Sequence, residues 1–235
     1  MEARKVAVIT GASQGIGAGL VSAFRGIGYS VVANSRSIRA SEHSEVVTVA
    51  GDISDSAVAE EVIATALDRF GRIDTLVNNA GIFIAKPFTE YTREDYDNVL
   101  QVNLGGFFHV TQKAIGQMVE QGNGHVVNVT TTLVEYANSS LPSALASLTK
   151  GGLSSVTKSL AVEFGGRGVR VNAVSPGIIG TPMHPEETRE TLASLHPVGR
   201  MGTVEDVTRG VLYLEQAPFV TGEFLHVDGG QSAGH

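Results

Sequence analysis

Apolar and polar residues alternate along this chain in two rhythms. Short runs rich in β-branched residues, at Lys5–Ile9, Ser30–Ala33, Val46–Val49, Thr75–Asn78, His125–Val129, Arg170–Val174 and Phe224–Val227, read as strands. Several are continuously apolar, which fits a sheet buried on both faces. Between them, apolar residues recur three and four apart and predict helices near Ile16–Ile27, Ala57–Arg69, Arg93–Glu120, Ser143–Phe164, Glu186–Leu195 and Val204–Leu214. Asp55, Thr92 and Thr203 stand where N-caps belong. Strands alternating with helices throughout predict an α/β fold, a doubly wound (Rossmann-type) parallel seven-stranded sheet with helices on both faces. No repeat, low-complexity tract or Pro/Ser-rich linker divides the chain, so residues 1–235 read as a single dinucleotide-binding domain. The long irregular insertion, Ser175–Pro197, is of the kind that forms a substrate lid.

Composition narrows the function classes. With 42% hydrophobic residues, 17% charged and 28 glycines, the chain can bury a large sheet and turn tightly between short elements. It has no cysteine, which removes disulfides and thiolate metal ligands, and no metal site is predicted. A formal charge of −7 disfavours nucleic acid and anionic membrane surfaces as partners. The apolar run Val6–Ile9 is too short for a signal-peptide core, and no stretch reaches the ~20 apolar residues of a membrane span, so the chain reads as cytoplasmic.

Candidate chemistry begins at Thr10-Gly11-Ala12-Ser13-Gln14-Gly15-Ile16-Gly17, which follows a buried-strand pattern and opens a helix. Glycines there allow a tight turn and close approach of backbone to a pyrophosphate, while the helix N-terminus offers free N–H groups and a positive dipole end. An ordinary glycine-rich turn would share that triplet, so the residues downstream decide. The Gly-xxx-Gly-x-Gly spacing resembles the short-chain dehydrogenase/reductase family, and further family motifs follow in order. They are Asp52 in Gly51-Asp52-Ile53, Asn78-Asn79-Ala80-Gly81, and Asn103 in Val102-Asn103-Leu104. Lys150 in a Lys-Gly-Gly-Leu helix, the Ser175-Pro176-Gly177 turn with Thr181, and Val227-Asp228-Gly229-Gly230 complete the set.

The resemblance spans nearly the whole chain and implies roles. Gly11, Gly15 and Gly17, with Ser13 and Ile16 among them, would hold the pyrophosphate. Asp52 and Ile53 would meet the adenine, and Asn78 and Ala80 the ribose and the sheet beneath it. Thr181 would meet the nicotinamide carboxamide, with Gly81, Lys150, Pro176, Gly177 and Ile179 also lining the cofactor. The choice of dinucleotide turns on the end of the second strand, where an acid would bond a ribose and repel a 2′-phosphate. Here Val31-Val32-Ala33-Asn34-Ser35-Arg36 carries none. Ser35 stands where NAD-preferring relatives carry Asp, and Arg36 could form charge-assisted bonds to a phosphate, so NADP(H) is favoured over NAD(H).

The chain departs from the family at its catalytic motif. Members usually carry Tyr-xxx-Lys, yet four residues before Lys150 stands Ala146. The serine partner falls at Thr131, and the gap to Ala146 is two residues longer than the family's, which implies an insertion. Losing a positioned acid costs on the order of 10²–10⁴ in rate, and a threonine hydroxyl is far too weak an acid to replace a phenol of pKa ~10. Tyr136, in the insertion-bearing loop, is the candidate substitute. Lys150 acting through a water, Ser143 and Ser147 on the same helix, and His184 in Thr181-Pro182-Met183-His184-Pro185 are alternatives, whereas His109 reads as a packing residue.

The favoured expectation is an NADP(H)-dependent oxidoreductase acting on a small carbonyl or alcohol, with Asn103, Thr131, Lys150 and Tyr136 at its catalytic centre. The rival is a dinucleotide-binding protein without turnover, a sensor or partner subunit, and Ala146 is the feature that favours it. As the resemblance implies, small outward residues Gly105, Gly106, Ser154 and Ser155 on the long helices would let a second subunit pack closely, giving a homodimer or homotetramer.

Overall fold

A computed structural model describes residues 4–139, 141–184 and 186–234. Its centre is one parallel sheet of strands β1 (Val6–Thr10), β2 (Ser30–Ser35), β3 (Val46–Ala50), β4 (Thr75–Asn78), β5 (Gly124–Val129), β6 (Val169–Pro176) and β7 (Phe224–Val227). They lie in the order β3-β2-β1-β4-β5-β6-β7. Helices α1 (Gly15–Gly26), α2 (Ser56–Phe70), α3 (Arg93–Leu100), α4 (Gly106–Gln121), α5 (Ala144–Gly165), α6 (Arg189–Ala193) and α7 (Val204–Gln216) connect them. The expected doubly wound seven-stranded sheet is thus the observed one. The chain reverses its direction of growth between β1 and β4, and in open α/β sheets that switch point opens a crevice at the carboxyl ends of the strands.

Alternation along each strand divides the core in two. Val6 and Val8 of β1 face α2 and α4 with Val62, Ala114 and Met118, whereas Ala7 and Ile9 face α1 and α7 with Leu20, Phe24 and Val211. Both faces are therefore covered, which explains why the strands read as continuous apolar runs. Asp55, Thr92 and Thr203 do cap α2, α3 and α7, the last two in reciprocal capping boxes with Asp95 and Asp206.

Three expectations need correction. The stretch Arg93–Glu120 is not one regular helix: α3 passes into a π-turn over Gln101–Gly105 before α4 begins. Such turns insert a residue and re-aim side chains, and this one turns Asn103 inward. Gly106 does not face outward either, because a Cβ there would come within 2.8 Å of Ile53 in the core. The helix expected over Glu186–Leu195 shrinks to a 3₁₀ turn and the five-residue α6, whose residues bury no side chain fully. Pro185, within the expected lid, lies outside the described residues.

At the amino ends of the strands, away from the crevice, a buried polar network bolts α7 to the sheet. The Glu215 carboxylate accepts from the Tyr29 hydroxyl at 2.7 Å, the Thr75 hydroxyl at 2.8 Å and His125 Nδ1 at 2.7 Å. Asn172 Nδ2 donates to His125 Nε2 at 3.0 Å, which makes the ring neutral with its proton on Nδ1. Burial lowers the His125 pKa. Burial alone would raise Glu215, but the bonds from His125, Tyr29 and Thr75 outweigh it and hold the carboxyl at about 2. Both groups make stability fall on acidification. The unfolded chain takes up a proton at His125 below about pH 6.5 and at Glu215 below about 4.3, protons that the folded state refuses. Glu215→Ala leaves three buried donors without an acceptor, at roughly 1–3 kcal/mol each. Urea unfolding at pH 7 is expected to show a loss of at least about 3 kcal/mol, with a shallower acid limb than the parent. A loss below about 1 kcal/mol would mean that the network carries little of the stability.

Candidate active site

Everything at the crevice depends on how β1 and β4 end. Thr10 Oγ1 accepts the backbone N–H groups of Asn79 at 3.1 Å and Ala80 at 3.0 Å, and Asn79 Nδ2 donates to the carbonyls of Thr10 and Gly11 at 3.0 Å each. Gly11 sits at φ 65° and Gly15 at φ 54°, in the left-handed region that favours glycine. A Cβ on Gly11 would lie 2.8 Å from Ala80 Cα, and one on Gly17 would collide with the Gly11 carbonyl. The turn therefore closes only with glycines, and it delivers the start of α1 bare: Gln14 at its N-cap makes no side-chain hydrogen bond to the helix. Uncapped N–H groups, a positive dipole end and a cradle without side chains together suit a diphosphate.

A cavity of about 640 Å³ runs from this turn across the carboxyl ends of the strands. Its wall includes Gly11, Ser13, Gly15, Ile16, Gly17, Ser35, Arg36, Asp52, Ile53, Ala80, Gly81, Thr131, Lys150, Pro176, Gly177, Ile179 and Thr181, all of them singled out from sequence. At the β2 and β3 end, the Ser35 hydroxyl donates to Ser13 Oγ at 2.8 Å, with Arg36 and Ser37 beside it. Burial acts to raise the Asp52 carboxyl, but bonds from the Ser54 N–H and hydroxyl, helped by Arg36, hold it below the usual carboxylate range. The dinucleotide expected from sequence thus fits on geometry: glycine cradle in the middle, hydroxyls and a guanidinium at one end, and Lys150 at the other.

Lys150 Nζ donates to the Val129 carbonyl at 2.8 Å, and a Cβ on Gly81 would stand 3.1 Å from it. Burial pushes the ammonium down to about 8. Ala146, one turn earlier on α5, faces the same cavity and is only 4% exposed. It offers no proton. Thr131 also lines the wall, its hydroxyl accepting the Leu133 N–H at 3.4 Å.

Three expected site residues lie elsewhere. Asn103 is 1% exposed behind the wall, its Oδ1 accepting the Ile82 N–H at 2.9 Å and its Nδ2 donating to the Ile82 carbonyl and the Thr149 hydroxyl at 3.1 Å. It ties the π-turn, the strand following β4 and α5 together rather than touching the cavity. Asn78 is buried in the sheet, donating to Thr111 and Asn128 at 2.9 Å. Tyr136 is half-buried in the loop after β5, where its N–H donates to Thr132, and it is not among the residues that line the cavity.

Sequence reasoning overlooked others. Asn79 clamps the glycine turn. Ile82, Phe83, Leu133, Leu141, Met183 and Leu192 make the Lys150 end mostly apolar. His196, 3% exposed, accepts the Ile178 N–H at Nε2 (3.0 Å), and its Nδ1 lies 3.1 Å from the Leu192 carbonyl, so the neutral ring ties together both ends of the segment between β6 and α7. Only its place in a loop, far from any motif, identified it in the sequence, and that is no signal.

Comparison with known proteins places this geometry. Residues 11–232 match the family model described as enoyl-(acyl carrier protein) reductase. A 3-oxoacyl-(acyl-carrier-protein) reductase of Thermotoga maritima is 38% identical over 240 residues, covering 96% of this chain and 97% of the relative. The solved structure of ElxO with NADP bound superposes with a TM-score of 0.92 at 30% identity, over 98% of this chain and all of that one. A 3-ketoacyl-(acyl-carrier-protein) reductase from Brucella melitensis, complexed with NADH, superposes with a TM-score of 0.91 at 33% identity, over 97% and 98%. With the sheet order, the glycine turn and the motif sequence in agreement, the chain belongs to the short-chain dehydrogenase/reductase family of oxidoreductases.

Proposed function

We propose that this protein is an NADP(H)-dependent oxidoreductase that interconverts a small carbonyl compound and its alcohol, using a proton donor other than the family's usual tyrosine. The observation that carries the reading is a single continuous cavity joining the glycine turn to Lys150, with Ala146 in its wall. When bound, the nicotinamide dinucleotide supplies or accepts the hydride. The chain's part is to orient and to move a proton. Gly11, Gly15 and Gly17 would leave room for the pyrophosphate, Lys150 would hold the nicotinamide ribose, and the start of the segment after β6, fixed by the bridge between Ile179 and Gly202, would line the substrate side. The apolar residues at the Lys150 end favour a substrate without formal charge. The rival reading, a dinucleotide-binding protein without turnover, draws on Ala146 alone. A panel of ketones, aldehydes and alcohols, followed by cofactor absorbance, separates the two: turnover of any of them supports the enzyme, and tight dinucleotide binding with no turnover supports the rival.

Preference for the 2′-phosphate rests on Ser13, Ser35, Arg36 and Ser37 at the β2 end, where no carboxylate follows the strand. A charge-assisted bond from Arg36 is worth about 1.5–3 kcal/mol, roughly tenfold to a hundredfold in affinity. Titration is expected to show NADPH binding at least about tenfold more tightly than NADH, with Arg36→Ala removing most of the difference. Equal affinities in the parent would sink the assignment.

Assembly into a two-fold symmetric dimer or tetramer is proposed from the outward faces of α4 and α5, where Phe108 and Leu148 are 55% and 59% exposed. Light scattering at micromolar concentration is expected to give a multiple of the 24.6 kDa chain mass. A monomer would contradict it.

A further inference from the structure

Between β6 and α7 two residues far apart in sequence, Ile178 and Leu192, stand on the cavity wall. They are held differently. Ile178 belongs to an anchored base: its carbonyl accepts the Gly202 N–H at 3.0 Å, the Gly180 N–H donates to the Gly202 carbonyl at 2.9 Å, and the Gly177 N–H donates to the Val227 carbonyl at 3.1 Å. Leu192 belongs to α6, whose five residues are far fewer than the ~12–15 that an isolated helix needs, and none of its side chains is fully buried. Neither propensity nor packing fixes α6, so its place depends on a tether.

His196 supplies one. Its ring is 3% exposed and sits in a slot that two glycines leave open: a Cβ on Gly177 would stand 2.7 Å from Nε2, and one on Gly229 would stand 3.3 Å from the histidine Cβ. Because Nε2 accepts the Ile178 N–H at 3.0 Å, the ring proton is on Nδ1, which donates to the Leu192 carbonyl at 3.1 Å. One rigid ring, itself off the wall, thus joins a wall residue of the anchored base to a wall residue of the short helix.

From this arrangement we infer that His196 is a positioning residue for the substrate. It fixes Leu192 at a set distance from Ile178, so that the apolar part of the carbonyl compound meets a preformed wall instead of one that it must order at a cost in affinity. The inference rests on the oxidoreductase reading above. The glycine turn is bonded to the end of β4 through Thr10 and Asn79, and the base at Ile178 is bonded to Gly202 and Val227, so neither depends on the ring. Losing His196 therefore loosens the α6 side of the cavity and leaves the dinucleotide side in place.

The test compares the parent with His196→Gln and His196→Asn. Glutamine places its amide where Nε2 lies and can keep the Ile178 bond, asparagine places its amide where Nδ1 lies and can keep the Leu192 bond, and neither spans both. For a ketone or aldehyde that the parent reduces, KM is expected to rise at least about fivefold in both variants, the effect of leaving one buried group unpaired. Over the same comparison kcat and NADPH affinity should hold within about twofold. Amide hydrogen exchange supplies a readout apart from turnover: α6 should exchange faster in both variants, and the Ile178 N–H faster only in His196→Asn. Either variant decides the point if the other fails to fold. An unchanged KM in a folded variant, KM and the NADPH Kd rising together, or α6 exchanging as slowly as in the parent overturns the inference while leaving the oxidoreductase reading intact. A parent that binds NADPH yet turns over no carbonyl or alcohol overturns both.

Discussion

The whole site hangs on the junction where β1 and β4 end side by side. Two parallel strands with nothing between their carboxyl ends leave unpaired backbone groups at a point that must also stay open for a ligand. Thr10 and Asn79 resolve this conflict by bonding the two chain ends to each other through side chains. Because Asn79 consumes the carbonyls of Thr10 and Gly11, the chain turns sharply at Gly11, and that turn sets α1 with its first N–H groups uncapped. A Cβ at Gly17 collides with the same carbonyl. The glycines are thus required first by packing at the junction, and room for a phosphate is a consequence.

A second constraint acts from α5. Burying the Lys150 ammonium costs free energy unless it is bonded, and the Val129 carbonyl at the end of β5 accepts one of its protons. Position then depends on how α5 is held, which is where the π-turn enters. By directing Asn103 into the gap, that turn joins the strand extension at Ile82 to Thr149, the residue before Lys150. Asn103 thus stands behind the cavity wall, one hydrogen bond from the wall residue Ile82 and one from Thr149 beside Lys150.

How much of this the sequence disclosed follows from the range of each interaction. Strands, cap residues and the glycine turn are local patterns, and Asp55, Thr92 and Thr203 cap the expected helices. The wall positions from Gly11 to Thr181 were readable because motif spacing marks chain proximity to the crevice. What failed was direction. Asn78 and Asn103 sit one residue from wall positions Asn79 and Val102, and alternation on a strand or a π-turn's extra residue turns them away. Gly106 was assigned to the surface from helical period, which the π-turn resets. Tyr136 depended on the path of an irregular loop, and His196 on a contact between two loop ends; neither has a periodic signature.

The two ends of the cavity ask opposite things of their surroundings. At the β2 end hydroxyls and a guanidinium stand among water-accessible turns, where charge is cheaply solvated. At the α5 end Lys150 is buried, and the lowered dielectric disfavours its charged form. Starting from an ordinary value near 10.4, that desolvation brings the lysine to about 8, close to neutrality. At pH 7 the lysine therefore stays mostly charged. The cavity thus carries two cations of different kinds, Lys150 buried and bonded to the Val129 carbonyl, and Arg36 exposed to water beyond β2.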